Sequence, residues 1–118
     1  MRCPNLRLAV LAAAAAAQAQ ASTSHDFPTL ERVLFVQECM QIHPGPGYEM
    51  SSKCSCLLDT LASQLSHEEF ISMVTLGKAS SMAGERGGSI RDAPDLASQL
   101  QRYRALQTQG EKACFIRP

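Results

Sequence analysis

The stretch Lys53-Cys54-Ser55-Cys56-Leu57-Leu58-Asp59 places two cysteines one residue apart at the start of an apolar helical pattern. Leu57, Leu58 and Leu61 recur at the three- and four-residue spacing of a helix with one buried face. Two residues advance about 200° around an ideal helix, so the two sulfurs point in different directions. Because a bond between Cys54 and Cys56 would need side chains that diverge to meet, disulfide geometry disfavours it. We predict that each of these cysteines bonds another part of the chain.

The N-terminal residues predict export. Arg2 and Arg7 precede an apolar run over residues 8–17, and small residues lead up to Ala21. This order is typical of a secretory signal peptide. The run is shorter than the roughly 20 apolar residues that a transmembrane helix needs. We therefore expect a signal peptide at residues 1–21 and a single periplasmic or secreted domain at residues 22–118, without a membrane span in the mature chain.

The cysteine count predicts two disulfides. Removal of the leader takes away Cys3, so that four of the five cysteines remain, and an even number in a short exported chain is typical of a disulfide framework. These four are Cys39, Cys54, Cys56 and Cys114. We favour the pairs Cys39–Cys54 and Cys56–Cys114, because Cys54 is the nearer of the two to the turn that follows Cys39. The crossed pairing satisfies the same geometry.

The hydrophobic pattern predicts an all-α fold, a small bundle of about four helices stapled by the two disulfides. Helix starts are expected at Pro28 or Thr29, at Ser51 or Ser52, after Ser66 and at Pro94. Gly110 is expected to end or weaken the last helix. In the first helix the predicted inward stripe consists of Leu30, Val33, Leu34, Val36, Gln37, Met40 and Ile42.

The segment Gly84-Glu85-Arg86-Gly87-Gly88-Ser89 predicts a flexible link, because glycine has little preference for a helix. Within and after it, Arg86, Arg91 and Asp92 are candidate partner-binding residues. A solvated linker is the simpler interpretation of the same segment.

The charge balance excludes a nucleic-acid or anionic-membrane footprint. Without the leader, nine basic residues stand against 11 acidic ones, and they are scattered along the chain. No basic patch is evident. A domain of this size buries a modest fraction of its surface, so cross-links worth about 2 to 4 kcal/mol each matter to its stability.

The paired cysteines also permit a thiol-redox or metal-carrying role, since thiolates attack disulfides and bind copper or zinc. Cys39, His43, Cys54 and Cys56 would supply four ligands. The usual redox motif has two intervening residues and a strand–helix context, and neither is present. We favour structural disulfides and predict no bound metal. No nucleophile elbow or zinc-protease motif occurs, so we predict a non-enzyme without catalytic residues or cofactor.

A resemblance to a known group extends over most of the mature chain. It rests on the motifs Phe35-x-x-x-Cys39-Met40, Cys54-Ser55-Cys56-Leu57-Leu58-Asp59, Leu65-Ser66-x-Glu68-Glu69-Phe70, Gly84-Glu85-Arg86-Gly87-Gly88 with Arg91-Asp92, and Lys112-Ala113-Cys114-Phe115-Ile116. The chain resembles small exported bacterial four-cysteine proteins associated with the gene neighbourhoods of periplasmic quinoprotein alcohol or methanol dehydrogenases. The resemblance implies an accessory role with a protein partner, such as a dehydrogenase component, and assigns no active residue.

The resulting expectation is a small non-enzymatic binding or accessory protein of the periplasm. One alternative is a thiol-redox, copper- or zinc-carrying protein that uses the cysteine pair. Another is an inhibitor or immunity protein directed against an exported enzyme.

Overall fold

The computed structural model of the protein describes residues 26–117, and the predicted signal peptide lies outside them. The described chain is all-α, as predicted, and cross-linked by two disulfides. It has five helices where about four were expected. They are α1 (Thr29–Ile42), α2 (Gly47–Ala62), α3 (His67–Ser80), α4 (Glu85–Asp92) and α5 (Pro94–Ala113).

Helix α2 is the central element, because it packs against α1, α3 and α5. It begins at Gly47, four or five residues before the predicted start at Ser51 or Ser52. The N-cap residue is Pro46, whose carbonyl oxygen accepts a hydrogen bond from the Met50 N–H at 2.9 Å. The extra turn buries Met50.

The two disulfides fasten both ends of the domain to α2. Cys39 in the last turn of α1 bonds Cys54, with the two Cα atoms 5.9 Å apart. Cys56 bonds Cys114, which caps α5, with a Cα separation of 5.8 Å. This is the pairing that the sequence favoured, and the sulfurs of Cys54 and Cys56 do turn to different partners.

The core lies between α2, α3 and the segments that the disulfides hold against them. Its least exposed side chains are Phe27, Leu58, Leu61, Leu65 and Cys54. Phe27, which precedes α1, packs its ring on that of Phe70 with a centroid distance of 4.7 Å. Ile116 closes the core from beyond the end of α5.

The predicted start of α3 is confirmed. Ser66 is the N-cap, and its hydroxyl oxygen accepts a hydrogen bond from the Glu69 N–H at 3.2 Å. The Glu69 carboxylate accepts one from the Ser66 N–H at 2.9 Å. This reciprocal capping box satisfies two backbone donors that the first helical turn leaves unpaired.

The prediction of a flexible link at residues 84–89 was wrong, because these residues open helix α4. Gly84 adopts φ 80°, a conformation that glycine tolerates, and the Gly88 N–H donates to its carbonyl at 3.1 Å. A Cβ added at Gly87 would lie 2.0 Å from the Met82 carbonyl oxygen. Gly87 therefore allows α4 to pack closely on the end of α3. Helix α4 is the additional helix that the sequence pattern did not predict.

Two further expectations about helices were wrong. Helix α5 continues past Gly110, where an added Cβ would lie 2.6 Å from Leu57 Cδ1, so this glycine permits close packing on α2. In α1 the predicted inward stripe is displaced. Phe35, Val36 and Met40 pack against the core, whereas most of the predicted stripe is exposed, namely Leu30, Val33, Leu34, Gln37 and Ile42.

Within residues 26–117, each helix is too short or too polar to cross a membrane.

Candidate functional site

A cleft lies between α1 and the pair α3 and α5. Helix α1 packs on α2, but its backbone makes no close approach to α3 or α5. The gap is a cavity of about 420 Å³. That volume lies in the range of roughly 300–1,000 Å³ that is typical of ligand sites in proteins. We call this feature the α1–α5 cleft.

The floor of the α1–α5 cleft is apolar. It combines aliphatic and aromatic side chains from four helices with one of the disulfide cysteines, namely Phe35, Cys39, Leu57, Val74, Leu100 and Tyr103. Gly77 lines the cleft at the α3 wall. A Cβ added there would lie 3.9 Å from Leu100 and from Tyr103, which is ordinary van der Waals contact. The floor therefore offers apolar surface that a bound group would remove from water.

An ion pair and a histidine–carboxylate contact cross from α1 to the opposite wall and form part of the rim. Lys78 Nζ of α3 donates to Glu38 Oε2 of α1 at 3.0 Å. His43, which ends α1, lies with its Nε2 3.6 Å from Glu111 Oε1 of α5. Arg104 is a further cation in the lining. The rim thus carries charges of both signs around an apolar floor.

Tyr103 is the most buried of the polar residues that line the cleft. Its side chain is buried, and burial together with the negative charge of Glu38 raises the pKa of its hydroxyl to about 12. The hydroxyl therefore stays protonated at neutral pH and is able to donate a hydrogen bond to a bound group.

The predicted partner-binding residues lie elsewhere, on α4. Arg91 Nη1 donates to the carbonyl oxygens of Ser80 at 2.6 Å and Met82 at 3.4 Å, so this side chain binds the end of α3. Arg86 and Asp92 are exposed on the same helix. None of the predicted three lines the cleft. The segment predicted to be a flexible partner-binding loop is therefore a short helix, and its Arg91 contacts the end of α3.

The residues of the alternative metal site are not gathered around one point. Cys39 and Cys54 are bonded to each other, Cys56 is bonded to Cys114, and His43 faces Glu111. Among residues 26–117 no group of three or more His, Cys, Asp or Glu side chains is arranged to hold a metal ion.

The sequence indicated several cleft residues without indicating the cleft. Helical spacing puts Gly77 beside Val74 on one face of α3 and Tyr103 beside Leu100 on one face of α5, but spacing cannot show that α1 stands away from these two helices. The one local signal was Gly77, a glycine on the inner face of an otherwise strong helix.

No known protein family, curated protein or solved structure matches the chain.

Proposed function

We propose that the protein is a small exported, non-enzymatic binding protein and that the α1–α5 cleft is its binding site. The observation that carries the proposal is a cavity of about 420 Å³ with an apolar floor and with charged residues of both signs at its rim. Burial of apolar surface contributes about 25 cal/mol per Å², so the floor supplies affinity. The charged rim supplies orientation, as polar groups do in most ligand sites.

The chemistry of the lining supports binding rather than catalysis. Glu38 and Lys78 form an ion pair, Glu111 lies 3.6 Å from His43, and the Ser81 hydroxyl donates to the Lys78 carbonyl at 2.7 Å. Cys39 is disulfide-bonded, and the pKa of Tyr103 lies far above neutrality. An activated nucleophile needs an adjacent base or a lowered pKa, and these residues offer neither.

The proposed partner is a protein of a periplasmic dehydrogenase system, by the resemblance described above. An apolar side chain or short segment of that partner would enter the cleft. The disulfides support the proposed periplasmic or secreted location, since such bonds persist in oxidising compartments.

A thiol-redox or metal-carrying function is the second candidate. Cys56 is exposed, so a reductant could reach the Cys56–Cys114 bond, whereas Cys54 has no exposed surface. Such a role would require at least one of the two bonds to open during function. An inhibitor of an exported enzyme is a further kind of binding protein, which an activity assay on the captured partner would reveal.

A pair of substitutions at Gly77 tests the cleft. Gly77→Ala adds a methyl group at ordinary contact distance from Leu100 and Tyr103, whereas Gly77→Leu projects a larger side chain into the cavity. Each full-length variant is exported, affinity-tagged and used to capture proteins from periplasmic extract of the native host. We expect a component of the dehydrogenase system that the Gly77→Ala protein retains and that the Gly77→Leu protein loses by about tenfold or more, equivalent to 1.4 kcal/mol.

Matching thermal unfolding of the two variants is the control for folding. Equal capture of the same partner by both variants would contradict the assignment of the cleft. Capture of no dehydrogenase component by either would contradict the proposed partner class.

A further inference from the structure

The hydroxyl of Tyr103 is an unpaired hydrogen-bonding group in the α1–α5 cleft. The residue is 5% exposed, and its hydroxyl makes no hydrogen bond to another residue of the described chain. Among residues 26–117 no side-chain nitrogen or oxygen is both unpaired and sealed from solvent, so the small exposed fraction of Tyr103 includes this oxygen. Most buried polar side-chain atoms in proteins have a hydrogen-bond partner, which makes this hydroxyl an exception.

Two observations place the hydroxyl on the surface of the cleft. Gly77 brings no side chain to the α3 wall, and a Cβ added there would lie 3.9 Å from Tyr103 Cε1, the ring carbon next to the one that bears the hydroxyl. Burial, and then the charge of Glu38 on the α1 wall, raise the pKa of the hydroxyl to about 12, so Glu38 lies close enough to act on it. A group that enters the cleft would therefore meet this hydroxyl.

The surroundings of the hydroxyl disfavour a charged group beside it. Glu38 and Lys78 already form an ion pair with each other, and Arg104, a further cation of the lining, is exposed to solvent. A charge brought to the apolar floor would lose its hydration without gaining a free counter-ion there. A negative charge is disfavoured further, because the charge of Glu38 already opposes ionisation of Tyr103. A neutral group fits this position best.

We infer that the Tyr103 hydroxyl selects a group with an apolar body and a neutral carbonyl oxygen, to which it donates a hydrogen bond. The inference rests on the proposed function, since it takes the cleft to be the binding site. A hydrocarbon that covered the hydroxyl would exclude water and leave the donor unpaired, whereas a carbonyl oxygen accepts the hydrogen bond. The carbonyl belongs either to a peptide segment of a partner protein or to a free small molecule, and the experiment separates these two sources.

Equilibrium dialysis of the full-length exported protein against three matched compounds tests the inference. They share one apolar ring system and differ in the attached group: acetylnaphthalene carries a neutral carbonyl, ethylnaphthalene a hydrocarbon and naphthoate an anion. We expect acetylnaphthalene to bind about fivefold more tightly than ethylnaphthalene, the effect of one neutral hydrogen bond, and naphthoate to bind least. Tyr103→Phe removes only the hydroxyl and should abolish the preference between the first two compounds.

A second probe, N-acetylleucine methylamide, carries the carbonyl groups of a peptide. Tighter binding of this probe to the unmodified protein than to Tyr103→Phe would identify a peptide carbonyl as the natural group. Such a difference for acetylnaphthalene alone would identify a free carbonyl compound. The preference is a ratio measured within one protein, so a small change in the stability of Tyr103→Phe does not affect it.

Gly77→Leu separates failure of this inference from failure of the cleft assignment. If Gly77→Leu weakens binding of both neutral naphthalenes, equal affinity for the two, a preference that Tyr103→Phe retains, or tightest binding of naphthoate would overturn the inference and leave the cleft in place. Binding that Gly77→Leu leaves unchanged, or no binding of any probe, would overturn the cleft assignment and this inference together.

Discussion

At the scale of single residues, Phe115 is the position whose backbone conformation is least expected. Its φ is 58°, the one positive value at a non-glycine residue in the described chain. The Ile116 N–H donates to the Glu111 carbonyl at 2.9 Å and the Phe115 N–H to that of Lys112 at 3.3 Å. This is the Schellman arrangement at the end of α5, in which glycine usually occupies the left-handed position. Packing of the Phe115 ring offsets little of the cost of this backbone conformation, because the residue is 79% exposed.

Replacing Phe115 by glycine should therefore stabilise the protein. A left-handed conformation costs a residue with a Cβ about 1–2 kcal/mol, so we expect the free energy of unfolding to rise by about 1 kcal/mol in Phe115→Gly. Urea denaturation measures the change. Phe115→Ala removes the ring but keeps the Cβ, and it should give little or no gain. A Phe115→Gly protein less stable than the unmodified one would show that the exposed ring makes a stabilising contact.

Tyr103 predicts a loss of stability at alkaline pH. Its pKa is about 12 in the folded protein, while a tyrosine in an unfolded chain ionises near pH 10. Because the unfolded state loses its proton first, the contribution of Tyr103 is fully present below about pH 10 and declines as the pH rises from about 10 to 12. Denaturation midpoints across this range should fall less steeply in Tyr103→Phe. Identical pH dependence of the two proteins would contradict the burial of the hydroxyl.

At the scale of helices, the sequence predicted what depends on neighbours in the chain. The Ser66–Glu69 capping box and the divergence of Cys54 and Cys56 follow from local geometry, and both are present. The wrong predictions concern features that are determined by packing between helices. Gly87 and Gly110 were interpreted as breaks because glycine has low helix propensity, yet both lie where another part of the chain approaches the helix closely.

The same limit applies to α1 and to the cleft. Apolar residues occur on most sides of α1, so periodicity alone could not choose its buried side, and Leu30, Val33 and Leu34 were assigned inward although they are exposed. The cleft exists because α1 is fastened to α2 and stands apart from α3 and α5. No local pattern encodes that separation.

The two central glycines of α4 provide a matched test of this interpretation. Gly87→Ala would bring a Cβ within 2.0 Å of the Met82 carbonyl, whereas at Gly88 the nearest atom is Arg91 Nη2 at 3.9 Å. We expect Gly87→Ala to cost about 1–3 kcal/mol by overpacking and Gly88→Ala to gain up to about 1 kcal/mol of helix propensity. Thermal unfolding of both variants measures the difference. Similar effects at the two positions would favour the flexible link over a packed helix.

At the scale of the whole molecule, the disulfides connect segments of very different separation. Cys39–Cys54 closes 15 residues of chain and Cys56–Cys114 closes 58. In the chain-entropy model these loops correspond to about 3 and about 4 kcal/mol of stabilisation.

We therefore expect the double variant of Cys56 and Cys114 to alanine to be less stable than that of Cys39 and Cys54, by about 1 kcal/mol. Guanidinium denaturation of both proteins, with the reduced unmodified protein as the control that keeps every sulfur atom, checks the ranking. The reverse order would show that packing of the buried Cys39–Cys54 bond outweighs loop closure.

We propose that Cys54 and Cys56 fasten a binding scaffold and do not act as a working thiol pair. Non-reducing peptide mapping of the purified protein tests it most directly. Trypsin cuts after Arg32, Lys53, Lys78 and Lys112 but not between Arg117 and Pro118, and thus yields peptides 33–53, 54–78 and 113–118. We predict that these three peptides remain joined until reduction, and that electron-transfer fragmentation between Cys54 and Cys56 assigns Cys39 to Cys54 and Cys114 to Cys56. Free thiols at Cys54 and Cys56, or a bond between them, would contradict the account.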